Sequence, residues 1–151
     1  MLDNTDYKLL EILQQNGKLT TKEIAKLVNL SPTPVYERIK RLEKAGIISN
    51  YVAIVVPETV GKALTVFCNV TLKEHTKEIG NLFVEEITSL KQITECYNIS
   101  GDYDFMLKII VNDMKQYQEF VINDLGSIKN IGSAHSTFVM GVIKHSYAVP
   151  L

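Results

Sequence analysis

The chain has 151 residues, 46% of them hydrophobic and 22% charged, which is the make-up of an ordinary folded protein and excludes a disordered or collagen-like chain. Lys plus Arg (16) against Asp plus Glu (17) leave a net charge of −1, so the whole-chain average argues mildly against a nucleic-acid or membrane-surface binder. That average conceals an uneven placement: the only arginines are Arg38 and Arg41, three positions apart.

Met1 leads directly into Leu2-Asp3-Asn4-Thr5-Asp6, without the basic-then-apolar order of a secretory signal, and no apolar run reaches the length of a membrane span. Cys68 and Cys96 sit inside apolar runs and read as small buried hydrophobes of a reducing cytoplasm rather than a disulfide. The expected location is therefore cytoplasmic.

In chain order, Leu9, Ile12 and Leu13, with Leu10 at the edge, share one face of a helix from about Asn4 to Gly17. Thr20-Thr21-Lys22-Glu23 has the form of a capping box and opens a short helix bearing Ile24, Leu27 and Val28. After a turn at Asn29-Leu30, Ser31 as N-cap and Pro32 at the first helical position open a third helix, which Gly46 ends. Val35, Ile39 and Leu42 form its apolar stripe; Thr33, Glu37, Lys40, Arg41 and Lys44 lie opposite, with Arg38 on the flank.

Beyond Gly46 the period changes. Residues 47–56 read as a turn and then a strand stopped by Pro57, and 57–61 as a linker. Strict alternation from 62 to 72 predicts a strand, followed by a helix over about 75–87 with Ile79, Leu82, Phe83 and Ile87 inward. Strands are expected at 91–99 and 104–111, joined by the turn Ser100-Gly101-Asp102-Tyr103. Asp113 caps a helix carrying Tyr117, Phe120, Val121 and Leu125, and a last strand is expected over about 133–147, bent at Gly141.

The division is thus 1–50 helical, 51–61 a linker strand, and 62–151 in the order βαββαβ. That order matches a ferredoxin-like unit with both helices on one sheet face, so the chain is α+β. Phe67, Met106 and Ile110 fall on the other face, and a half-apolar open face predicts a second copy of the domain as partner.

Three short helices, a tight turn before the third and a strand after it describe a winged helix-turn-helix, whose third helix enters the major groove. Ser31, Thr33, Tyr36 and Glu37 are placed to read base edges; Arg38, Lys40 and Arg41 suit phosphates or a guanine edge, with Pro34 and Lys44 in the same segment. Residues 18–44 carry seven basic and three acidic side chains, whereas 52–151 carry eight and eleven, so the positive charge gathers where DNA would be met. A charged helix face is also commonly just solvated. The same chain could therefore be a sensing module whose helices dock a protein instead of double-stranded DNA.

Asp102 and Asp104 in one turn raise acid–base catalysis or a metal, but no His lies near them in sequence and His75, His135 and His145 lack ligand spacing. Acids in a turn ordinarily cap its amides. No phosphate-binding glycine motif occurs, so neither an enzyme nor a bound cofactor or metal is expected. A Gly-containing turn with free amides and an Asp can instead hold the two ends of an amino acid.

The run from Asn29 through Pro32-Thr33-Pro34-Val35-Tyr36-Glu37-Arg38 to Ile48 resembles the recognition segment of the Lrp/AsnC (leucine-responsive/asparagine, feast/famine) transcription regulators. Leu2-Asp3-Asn4-Thr5-Asp6 is similar to that family's start, Cys96–Asp104 to a turn of its effector domain, and the likeness continues through Val139-Met140 and Lys144. The resemblance implies an N-terminal winged helix-turn-helix, a C-terminal ferredoxin-like "RAM" (regulation of amino acid metabolism) domain, dimers that often form octamers, and an amino-acid effector. It places the effector between dimers, at Asn98, Ser100, Gly101, Asp102, Tyr103 and Asp104, with Ser136 and Thr137 close by. Asn98 departs from the apolar or variable residue common there: its amide favours a polar ligand or satisfies a strand end.

Overall fold

A computed structural model describes residues 1–151 as two compact units: Met1–Ile54 together with Ile143–Leu151, and Val55–Val142.

The first unit holds α1 (Asn4–Gln15), α2 (Thr21–Leu27) and α3 (Pro32–Lys44). A capping box starts α1: the Asp6 amide donates to Asp3 Oδ1 (2.9 Å) and the Asp3 amide to Asp6 Oδ2 (3.1 Å). The expected box at α2 is present, with the Thr20 amide donating to Glu23 Oε2 at 2.7 Å and the Glu23 amide to Thr20 Oγ1 at 3.3 Å. Asn29, in the left-handed region at φ 54°, turns the chain into α3. Ser31 has the expected N-cap backbone, although its hydroxyl caps nothing. Leu9, Ile24, Ala25, Val35 and Ile39 form the core; Leu27, expected inward, is exposed because Ala25 takes the buried position of its short helix.

The strand expected within 47–56 does not form. Residues 51–56 are exposed and pair with no other segment, and apolar alternation without a ladder partner cannot make a strand. Pro57–Val60 form one 3-10 turn where a plain linker was expected.

The second unit runs β1 (Leu64–Leu72), α4 (Lys77–Thr88), β2 (Ile93–Asn98), β3 (Phe105–Val111), α5 (Met114–Asn123) and β4 (Ile131–Phe138). Its antiparallel sheet has the order β2-β3-β1-β4, the expected βαββαβ arrangement. Val66, Cys68, Val70 and Leu72 alternate with outward residues along β1 and, with Leu107 and Ile109 of β3, meet Phe83 and Ile87 of α4 and Tyr117 and Phe120 of α5 in one core. Leu82, expected inward, is exposed. The opposite face presents Phe67, Met106 and Ile110, each half-buried.

A bulge shifts the β1–β4 register at Thr71 and Leu72. A Cβ on Gly132 there would stand 3.1 Å from Thr71 Oγ1 and 3.3 Å from its carbonyl oxygen, so a side chain would push the strands apart. β4 ends at Phe138 rather than continuing to about 147, and residues 143–151 leave the sheet for the helical unit. The single chain offers no strand for them to pair with. Both cysteines are free thiols.

Candidate functional site

Two surfaces carry the residues singled out by sequence. The first is α3. Its buried stripe of Val35, Ile39 and Leu42 locks the helix on the core and leaves Ser31, Thr33, Tyr36, Glu37, Lys40 and Lys44 exposed, with Pro34 half-buried beside them. Lys40 Nζ stands 5.8 Å from the centre of the Tyr36 ring and donates to Glu43 Oε2 at 2.7 Å. Glu43 raises the Lys40 pKa in turn.

The arginines do something the sequence reading did not anticipate. Arg38 Nη1 donates to Asp3 Oδ2 (2.6 Å) and Asp6 Oδ1 (2.8 Å), and Arg41 Nη2 to both oxygens of Asp6 (2.8 and 2.6 Å). Asp6 has no exposed surface, so the guanidiniums are the partners that make its burial tolerable. Arg38 and Arg41, expected to serve phosphates or guanine, are thus tied to the start of α1. Their charges are matched by Asp3 and Asp6 as that of Lys40 is by Glu43, which leaves Lys44 as the unpaired cation of the exposed α3 face. The cue in the sequence is the Asp3/Asp6 spacing at the head of a helix.

The second surface is the turn after β2. The Ile99 amide donates to the Asp104 carbonyl and the Asp104 amide to the Val70 carbonyl, both at 2.9 Å, which fixes the turn's two ends. Gly101, at φ 118°, takes a conformation that an L side chain rarely adopts. Between the ties, the amides of Ser100, Gly101, Asp102 and Tyr103 donate to no protein acceptor. The Asp102 carboxylate is exposed and free of hydrogen bonds and ion pairs.

Three residues expected in the effector site also make hydrogen bonds within the protein. Asp104 Oδ2 accepts from the Leu72 amide (2.7 Å) and lies 3.1 Å from His75 Nε2, so it pins the turn to the end of β1. Asn98 Nδ2 donates to the Asp104 carbonyl at 2.9 Å, the contact that its strand-end reading expects. Ser136 pairs across the ladder with Cys68 and its hydroxyl bonds the Tyr117 hydroxyl, which places it on the helix-covered face. Burial raises the pKa of both the Cys68 thiol and the Tyr117 hydroxyl.

Thr137, opposite Phe67, does lie on the open face. A residue not singled out from the sequence, His135, has its ring centroid 5.5 Å from that of Tyr103. Period-two alternation places 133, 135 and 137 together and 136 apart, and would have found it.

The Lrp/AsnC ligand binding domain family matches residues 65–149, and the winged helix-turn-helix DNA-binding family matches 2–49. The DNA-binding transcriptional activator DecR of Escherichia coli (strain K12) is 36% identical over 151 residues, all of this chain and 99% of its own. The leucine-responsive regulatory protein of Haemophilus influenzae is 37% identical over 145 residues, 96% of this chain and 87% of its own. A transcriptional regulator of Neisseria meningitidis, solved as a complex with L-Met, superposes with a TM-score of 0.95 at 35% identity, over 99% of this chain and 97% of that one. With three helices in a helix-turn-helix order and a βαββαβ unit following them in sequence, the chain belongs to the Lrp/AsnC family of transcription regulators.

Proposed function

We propose that an amino acid bound at the 98–104 turn sets the affinity of this regulator for its operator. The observation that carries the reading is the turn itself: four unsatisfied amides suit a carboxylate, and the unpaired Asp102 suits an ammonium. Tyr103, His135 and Thr137 offer an aromatic and polar surface to the ligand's side chain. The L-Met complex of the Neisseria regulator supports the amino-acid class.

On the DNA side, Ser31, Thr33, Tyr36 and Glu37 reach base edges while Lys40 and Lys44 meet phosphates. The half-apolar open sheet face, with Phe67, Met106 and Ile110, meets a second copy. Effector binding favours one assembly over another and thereby sets how many helix-turn-helix units engage DNA together.

Thermal-shift screening against the common amino acids tests the effector site, because a ligand of the folded state raises the melting temperature by mass action. At least one amino acid is expected to raise it in the wild type and to fail in Asp102→Asn, whose own melting temperature stays unchanged. A response that survives Asp102→Asn at full size, or none across the panel, refutes the site.

A further inference from the structure

The last nine residues, Ile143–Leu151, belong to the DNA-binding unit although they follow the ligand-binding unit in the chain. One side chain grips them twice. Gln14 Nε2 donates to the Val149 carbonyl at 3.1 Å, and Gln14 Oε1 accepts from the Val149 amide at 2.6 Å. A primary amide that meets both the N–H and the C=O of one residue offers the donor–acceptor pair of a neighbouring β-strand. It therefore holds an extended segment by its backbone, whatever the side chains.

Beside this grip the helices and the tail together line a groove that keeps about 400 Å³ open with the tail in place, with Leu10, Leu13, Ile47 and Tyr51 among its walls and the tail's own side chains more than half exposed. Tyr147, Val149 and Leu151 line it, while Ala148 and Pro150 between them do not. That is the period of two expected of an extended peptide read on one side. Tyr147 is steadied by an edge-on contact with the His145 ring, centroids 4.5 Å apart.

The tail also begins close to the sheet. The Val139 amide donates to the Thr65 carbonyl at 3.0 Å, directly after β4, and only Met140, Gly141 and Val142 separate this tie from the tail. The DNA-binding unit is thus joined to the other unit by two chain crossings, after Ile54 and after Val142.

We propose that this groove is a peptide-recognition site whose ligand is the chain's own C-terminus, and that its occupancy carries the state of β4 to α1. The second half rests on the effector reading, in which β4 supplies His135 and Thr137. Residues 140–148 are the covalent path from the Val139 tie to the Val149 grip, so a change in β4 that alters the freedom of this path shifts the balance between the gripped and the released tail.

Gln14→Ala removes both contacts, and a chain ending at Ser146 removes the occupant without altering α1. Amide hydrogen exchange in the full chain reads the docking: protection of the Val149 amide is expected to fall about tenfold in Gln14→Ala. For an amino acid that shifts the wild-type melting temperature, its effect on DNA affinity is expected to shrink at least about fivefold in both variants, with the thermal shift retained. Unchanged Val149 protection in Gln14→Ala overturns the docking. A full effector response of DNA binding in both variants overturns the coupling. If no amino acid shifts the wild type, the effector reading and the coupling fall together, and the Val149 amide still decides the docking.

Discussion

Replacing Asp6 by Asn keeps the volume of a side chain with no exposed surface and removes its charge, so an amide nitrogen faces a guanidinium in place of one of the two carboxylate oxygens that together accept three arginine contacts. Charge-assisted hydrogen bonds are each worth roughly 1.5–3 kcal/mol, and breaking a fully buried pair costs about 3–5 kcal/mol. Here the arginine side chains are 28% and 58% exposed and rehydrate in part, which brings the expected loss to about 2–3 kcal/mol. For a unit of this size that corresponds to a fall in Tm on the order of 10–20 °C. Burial pushes the Asp6 carboxyl up, but the Asp3 amide and the two guanidiniums outweigh it and hold its pKa below the ordinary aspartate value. A carboxyl lowered by folding contributes stability that is complete above its unfolded pKa, about 4, and is lost as pH falls through the folded value. Thermal unfolding by circular dichroism from neutral pH into acid should therefore show a lower neutral Tm and a shallower acid decline for Asp6→Asn. A variant melting within about 2 °C of wild type, with the same acid decline, would refute the reasoning.

Lys44→Ala, which removes an unpaired cation from the exposed face of α3, should weaken binding to any duplex and lower the salt slope by about 1, while Thr33→Ala should change sequence preference. Arg41→Ala should do less to DNA affinity than Lys44→Ala and cost stability instead, and fluorescence anisotropy over a salt series beside thermal melts separates the two effects. Ser136→Ala should lower stability by about 1 kcal/mol through loss of its bond to Tyr117 and leave the amino-acid response intact; loss of that response would return Ser136 to the effector site.

Local patterns carried most of the fold. The Thr20–Glu23 box, Pro32 after Ser31 and the alternation of Val66, Cys68 and Val70 are short-range signals that tertiary context had no reason to override. Tyr51–Val56 misled because strand formation depends on a partner that the sequence of one segment does not disclose. The tail misled similarly: Gln14 and Val149 are 135 positions apart, and nothing local to either announces the pairing. At the candidate surfaces, residue type singled out the segments but did not disclose which side chains are already engaged within the protein. Arg38, Arg41, Asp104 and Asn98 are polar residues whose hydrogen-bonding groups are partly engaged inside the protein, whereas Lys44 and Asp102 remain free. Charge shows which side chains can bind a ligand, and only their partners show which are available.

The most direct test of amino-acid control is DNA affinity measured across a concentration series of an amino acid that raises the melting temperature, in the wild type and in Asp102→Asn. The account predicts a saturable change of about five- to 150-fold in the wild type, the usual range of coupling between two sites, and none in the variant. A wild-type affinity that stays flat while the amino acid is demonstrably bound, or an undiminished change in Asp102→Asn, would contradict it.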